Sequence, residues 1–205
     1  MSEFLEKISL DLGLEFFAAV LGIMSVWFAK KNKILVYPTG IISTLIYVWI
    51  LFKNQLLGDS IINAYFFLMS LYGWFFWSRK DDGIFQNKIS RLNLNELIFG
   101  LIIFVFSFIS VKYIYNISNW DESYISYIDT LTTSIFCSAM WFMARRKIEH
   151  WILWIIGDII SIPLYFHKGL YFTSIQYLIF TIIAILGLYT WLKELHKKKL
   201  TANEL

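Results

Sequence analysis

Charge is scarce in this sequence: Asp, Glu, Lys and Arg make up 16% of its 205 residues, against ~25% in an ordinary soluble domain. Only 2 prolines occur, and the single cysteine, Cys137, cannot close an internal disulfide. It lies inside an apolar run and reads as a small packing residue. The 3 histidines, His150, His167 and His196, are scattered and lack metal-ligand spacing. No glycine-rich phosphate loop, Walker motif or Gly-x-Ser-x-Gly elbow occurs. These absences exclude ATP-driven pumping by this chain alone and give no reason to expect a metal or cofactor. Strict apolar/polar alternation is also missing, which argues against an outer-membrane barrel.

What is abundant is apolar and aromatic surface. Apolar residues reach 58% and aromatics 20%, with a mean hydropathy of +0.60. A soluble fold of this size exposes too much surface to hide that content. The chain therefore reads as an all-α polytopic membrane protein, one membrane domain over 1–205. Seven stretches approach the ~20 residues that cross the hydrocarbon core: Leu14–Ala29, Ile34–Phe52, Ile61–Trp77, Leu97–Val111, Ile128–Ala144, Trp151–Phe166 and Phe172–Leu192. The start lacks a basic n-region and a small-residue cleavage site, so no removed signal peptide is expected.

Basic residues set the orientation. One side of the seven spans carries Lys30, Lys31, Lys33, Arg79, Lys80, Lys88, Arg91, Arg145, Arg146, Lys147, Lys193, Lys197, Lys198 and Lys199; the other carries Lys7, Lys53, Lys112 and Lys168. This 14-to-4 split predicts the N-terminus outside and the C-terminus in the cytoplasm. The net charge of +3 is thus a topology signal, and nucleic acid is not an expected partner.

Shifting the chain by 114 residues aligns Trp27–Trp77 with Trp141–Trp191 without a gap, with 14 of 51 pairs identical. Isoleucine matches weigh little in so apolar a chain. Trp27/Trp141, Lys33/Lys147, Ser60/Ser174, Gly73/Gly187 and Trp77/Trp191 weigh more, and Glu15 falls on Asp129. The expected layout is 3+1+3: repeat one over about 14–77, a linking helix over about 97–111 and repeat two over about 128–192. Spans one and five then run in the same direction, so the copies are parallel, as in SWEET-type transporters with a midplane site between two three-helix bundles.

Span six carries the clearest polar and aromatic stripe. Trp151, Trp154, Asp158, Ser161 and Tyr165 follow three- and four-residue steps and share one helix face. Asp158 stands ten residues beyond Ile148, roughly 15 Å along the axis at ~1.5 Å per residue. An ionisable group at that depth is costly and must face a partner or a watery cavity. Two roles are open to it: a ligand-binding or gating acid, or a structural acid satisfied by Ser or Tyr hydroxyls. Asn63 and Trp74 of span three, Tyr47 of span two, and Tyr177 with neighbouring Gln176 of span seven complete the candidate set. Span five offers Asp129, Thr132 and Phe136. Trp77 and Trp191, at equivalent helix ends, are expected to be interfacial anchors. Pro163 is expected to kink span six about one turn beyond Asp158. An aromatic cavity with few charges suits a flat, polar heterocycle better than an ion.

Several runs of residues carry a family resemblance. Ser25–Asn32 (SVWFAKKN), Tyr37-Pro-Thr-Gly-Ile-Ile-Ser43, Asn63-Ala-Tyr and Tyr72-Gly-Trp-Phe-Phe-Trp77 resemble the PnuC family of bacterial vitamin transporters. So do Trp151-Ile-Leu-Trp154-Ile-Ile-Gly-Asp158, Pro163-Leu-Tyr165 and Lys168-Gly-Leu-Tyr-Phe-Thr173. The resemblance spans about Leu14 to Lys193. It implies a transporter rather than an enzyme, in the bacterial inner membrane, taking up nicotinamide riboside, an NAD precursor, by facilitated diffusion with trapping by phosphorylation inside. It also implies a homotrimer, and ligand binding by the span-six motif of Trp151, Trp154 and Asp158. Thiamine, another vitamin or a sugar is the alternative solute. A membrane-embedded enzyme would need a second acid, a base or a metal at the depth of Asp158, and no second charged residue lies there.

Overall fold

The computed structural model describes residues 2–53, 57–81, 84–85, 88–117, 124–167 and 171–203. Seven helices follow in order: α1 Ser2–Lys30, α2 Val36–Lys53, α3 Leu57–Ser78, α4 Leu94–Ile117, α5 Tyr124–Ala144, α6 His150–His167 and α7 Tyr171–Asn203. Each overlaps one of the seven apolar stretches and six contain theirs; α2 begins at Val36, two residues after the expected Ile34. The outer ends differ more: α1 begins at Ser2, not Leu14, and α7 continues to Asn203, past Leu192. Between α3 and α4 a hairpin of two-residue strands, β1 Lys80–Asp81 and β2 Ile84–Phe85, was not foreseen and leaves the class all-helical.

Among the described residues, six helices are long and apolar enough to cross a membrane: α1, α2, α3, α4, α6 and α7. The expected fifth span, in α5, is the exception. Its hydroxyl-rich sequence is explained by its place, because every residue from Thr132 to Met140 is buried. The hydroxyls bond inside the protein: Thr130 Oγ1 donates to the Ser126 carbonyl at 2.7 Å, Ser134 Oγ to Thr130 at 2.7 Å, and Ser138 Oγ to Gly100 of α4 at 3.0 Å. Back-bonding of this kind removes the cost of a polar side chain away from water.

Packing closes the helices into a ring in which α1 meets α2, α2 meets α3, α3 meets α5, α5 meets α6, α6 meets α7, and α7 returns to α1. Helix α4 stands outside the ring against α5. Gly100 permits that approach, since a Cβ there would lie 2.3 Å from Cζ of Phe142.

The main apolar core lies at the end holding the basic turns, residues 31–35 and 145–149. Tyr37, Trp77, Trp151 and Trp191 are at most 1% exposed there, packed with Ala29, Ile89, Met140 and Ile148. Trp77 Nε1 donates to the Ala144 carbonyl at 3.1 Å and Trp191 Nε1 to Ala29 at 3.0 Å. Their rings lie 6.0 Å apart. The expected interfacial anchors are therefore interior closures, because their indole N–H groups find carbonyls within the ring instead of the membrane surface. The Arg146 guanidinium covers the Trp77 ring at 4.1 Å, and burial pulls its pKa down against the opposing fields of Tyr37 and Glu194.

The linker before α4 fastens this end. The Ser90 N–H donates to the Arg146 carbonyl at 3.2 Å, and the Ile148 N–H to the Ser90 carbonyl at 3.0 Å. Lys147 meets Glu96 at 2.8 Å and donates to Ser90 Oγ at 2.9 Å. Glu96 and Asn93 cap α4 reciprocally.

Local geometry recurs at the 114-residue spacing. Asn32 and Arg146 both hold left-handed backbone, φ 52 and 54, a conformation asparagine adopts more readily than arginine. Lys33 N–H to Phe28 and Lys147 N–H to Phe142 are both 2.9 Å. Ser60 Oγ bonds the Val48 carbonyl at 3.2 Å, as Ser174 Oγ bonds Ile162 at 2.9 Å. A Cβ on Gly73 would sit 2.4 Å from the Tyr37 ring, and one on Gly187 2.6 Å from the Trp151 ring.

Candidate functional site

Helix α6 places its polar stripe inward. Asp158 is 1% exposed and Ser161 fully buried. Among the described residues, neither Asp158 Oδ1 nor Ser161 Oγ has a hydrogen-bond partner. A buried acceptor left unbonded costs free energy on the order of 1–3 kcal/mol, which disfavours the reading of Asp158 as an internally satisfied structural acid. Asp129, by contrast, accepts a hydrogen bond from the Tyr115 hydroxyl.

Beside Asp158 runs a file of near-parallel rings. Trp154 of α6 stacks on Phe136 of α5 with centroids 5.1 Å apart and planes 25° apart. Phe136 faces Tyr177 of α7 at 6.0 Å and 8°. Tyr177 stacks on Tyr165 of α6 at 5.1 Å and 18°. Phe66 of α3 meets Trp154 at 6.4 Å with planes tilted by 56°, so the ring contacts extend from α6 to α3. The Tyr177 hydroxyl also lies in the field of Asp158 and is hydrogen-bonded to the Tyr165 hydroxyl. Aromatic faces with a carboxylate nearby attract a flat cation by ring quadrupole and by charge.

A second polar group gathers at the α1–α2–α7 seam, where Tyr47 is hydrogen-bonded to Gln176 and lies in the field of Glu15. Asn63 is half-buried on α3, one turn before Phe66. The structure thus brings Trp154, Asp158, Ser161 and Tyr177 together and sets Tyr47 with Gln176. It does not bring in Trp151 or Trp74. Trp151 belongs to the closed basic end, 5.8 Å from Trp191 and pressed on Gly187. Trp74 is 41% exposed on α3 and makes no stacking contact with the file.

Phe66 and Phe136 extend what the α6 stripe alone suggested. Phe66 is one of 19 phenylalanines with no local signature. Phe136 had a legible signal in Gly157, where a Cβ would lie 2.3 Å from its ring. Two clefts lie elsewhere: about 360 Å³ between α4 and α5 around Lys112 and Tyr127, and about 900 Å³ beside Pro163 and Tyr124. Neither is lined by the ring file. Among the described residues, no group of three His, Cys, Asp or Glu side chains could hold a metal ion.

Comparison with known proteins places these features. Residues 12–193 match the model of a family described as nicotinamide mononucleotide transporter. The chain is 25% identical to the nicotinamide riboside transporter PnuC of Escherichia coli (strain K12), across 90% of this chain and 87% of that one. It is 23% identical to the riboflavin/roseoflavin transporter RibM of Streptomyces davaonensis, across 84% and 81%. The fold matches a crystal structure of the vitamin B3 transporter PnuC with TM-score 0.68 and 22% identity, over 93% of this chain and 85% of that one. With a family match over nearly its whole length, this multi-pass membrane chain belongs to the PnuC family of transporters and is not an enzyme.

Proposed function

We propose that the chain carries nicotinamide riboside across the bacterial inner membrane by facilitated diffusion, with phosphorylation inside trapping the product. The observation that carries this reading is the ring file Trp154–Phe136–Tyr177–Tyr165 beside the buried carboxylate of Asp158. Nicotinamide riboside is a flat pyridinium with a carboxamide and ribose hydroxyls. Stacking and cation–π attraction suit its ring, Asp158 suits its charge or its hydroxyls, and Asn63 suits the carboxamide. Ser161, Tyr47 and Gln176 supply further polar contacts. The mononucleotide in the family's description is a poorer fit, because its phosphate needs a cation. The side chains just described include no Lys, Arg or His. One carboxylate is also too little for a proton relay, which favours uncoupled transport.

Seven crossings in a 3+1+3 arrangement complete the proposal, with two parallel copies related by an axis along the membrane normal. The ring order supports it: the α3–α5 and α7–α1 seams exchange under that symmetry, and α4 stays outside. So do the recurrent turns at Asn32 and Arg146. Helix α5, too polar to cross alone, would cross inside its neighbours. The N-terminus would lie outside and the C-terminus in the cytoplasm. The exposed apolar surface of α4, including Phe106 and Ile109, suits lipid or neighbouring copies in a homotrimer. Riboflavin is a second reading, favoured by the RibM relative.

Calorimetric titration of the purified protein discriminates these solutes. Nicotinamide riboside should bind well below millimolar, at least tenfold more tightly than its mononucleotide, thiamine, riboflavin or free ribose. Preference for any of the others would replace the reading.

A further inference from the structure

We infer that Phe136 sets the size of heterocycle the site accepts, an inference that rests on the ring file being the solute site. The two halves differ at this point. In the first, the positions equivalent to Phe136 and Trp154 are Gly22 and Gly40, and the position equivalent to Gly157 is Ser43. There the helices close directly on each other: a Cβ on Gly22 would lie 3.3 Å from Ser43 Oγ, and Ser43 Oγ donates to the Ala18 carbonyl at 2.8 Å. In the second half the bulk has changed sides. Gly157 leaves a flat bed on α6, Phe136 of α5 lies on it, and a Cβ at 157 would strike the ring at 2.3 Å.

That exchange gives the aromatic wall to one half only and fixes its spacing. Phe136 is 7% exposed and occupies the interval between Trp154, 5.1 Å away, and Tyr177, 6.0 Å away. The Phe136 ring therefore fills the interval between the Trp154 and Tyr177 rings, volume that a larger planar solute would need. Interiors pack densely, so this volume is not recovered by small adjustments. With Phe136 in place the wall accommodates a single-ring heterocycle such as a pyridine riboside. Without its ring the same wall has room for a three-ring isoalloxazine.

The test is a size series, Phe136→Leu, Phe136→Val and Phe136→Ala, with affinities for nicotinamide riboside and riboflavin measured on preparations whose thermal unfolding is cooperative. The ratio of riboflavin to nicotinamide riboside affinity should stay within about threefold of wild type for Leu, which keeps most of the volume. It should rise at least tenfold for Ala, with Val between. Any two folded members suffice to establish the trend. A ratio that does not move while the wild type binds nicotinamide riboside overturns this inference and leaves the proposed function standing. A ratio that moves as much for Leu as for Ala also overturns it, because stacking and not size would then be selected. Wild type that binds neither solute removes both.

Discussion

Trp154 and Asp158 stand one helical turn apart, yet they do different work, and substitution separates them. Trp154→Ala removes a face that stacks on Phe136 and should weaken nicotinamide riboside binding at least tenfold, about 1.4 kcal/mol. Asp158→Asn keeps the shape and deletes the charge, so the cationic riboside should lose more affinity than a neutral analogue of the same size. Titration and thermal melting on the same preparations check both; lower melting temperatures with unchanged affinity would assign these residues to folding alone. Asp158 was legible in the sequence because a lone acid in an apolar run needs a reason. Phe66 was not, since its role depends on α3 bringing it to Trp154 of α6, which no local pattern encodes. Trp77 and Trp191 misled for a related reason: a tryptophan at a span end looks the same whether it faces headgroups or a neighbouring carbonyl.

Helices show which tight contacts are structural. A Cβ on Gly187 would lie 2.6 Å from the Trp151 ring, whereas one on Gly13 meets nothing within 4 Å. Gly187→Ala should therefore cost ~1–3 kcal/mol by overpacking, and Gly13→Ala should be neutral or stabilise by up to ~1 kcal/mol through helix propensity. Melting curves in one detergent compare the two. At the start of α4, Glu96 caps the helix and pairs with Lys147 at 2.8 Å. Glu96→Ala should lower stability by about 1 kcal/mol without changing solute affinity, because the latch lies at the basic end, away from the ring file. Helix count and order could be read from apolar runs. The membership of α5 could not be settled that way, since its Thr and Ser residues are tolerated only because neighbouring helices enclose it.

At the scale of the molecule, the order of the helices was visible in the apolar runs, while the ring of six with α4 outside and the closure at the basic end emerged only from packing. Orientation has a direct check. In a Cys137→Ser background, a membrane-impermeant thiol reagent should label Lys53→Cys on intact cells and Lys197→Cys only after permeabilisation. Transport itself is tested most directly by uptake of labelled nicotinamide riboside into proteoliposomes. Without ion gradients, label should equilibrate with the external concentration, and it should exceed that level only when a riboside kinase and ATP are sealed inside. Accumulation driven by a sodium or proton gradient without the kinase, or no uptake above protein-free liposomes, would contradict the account.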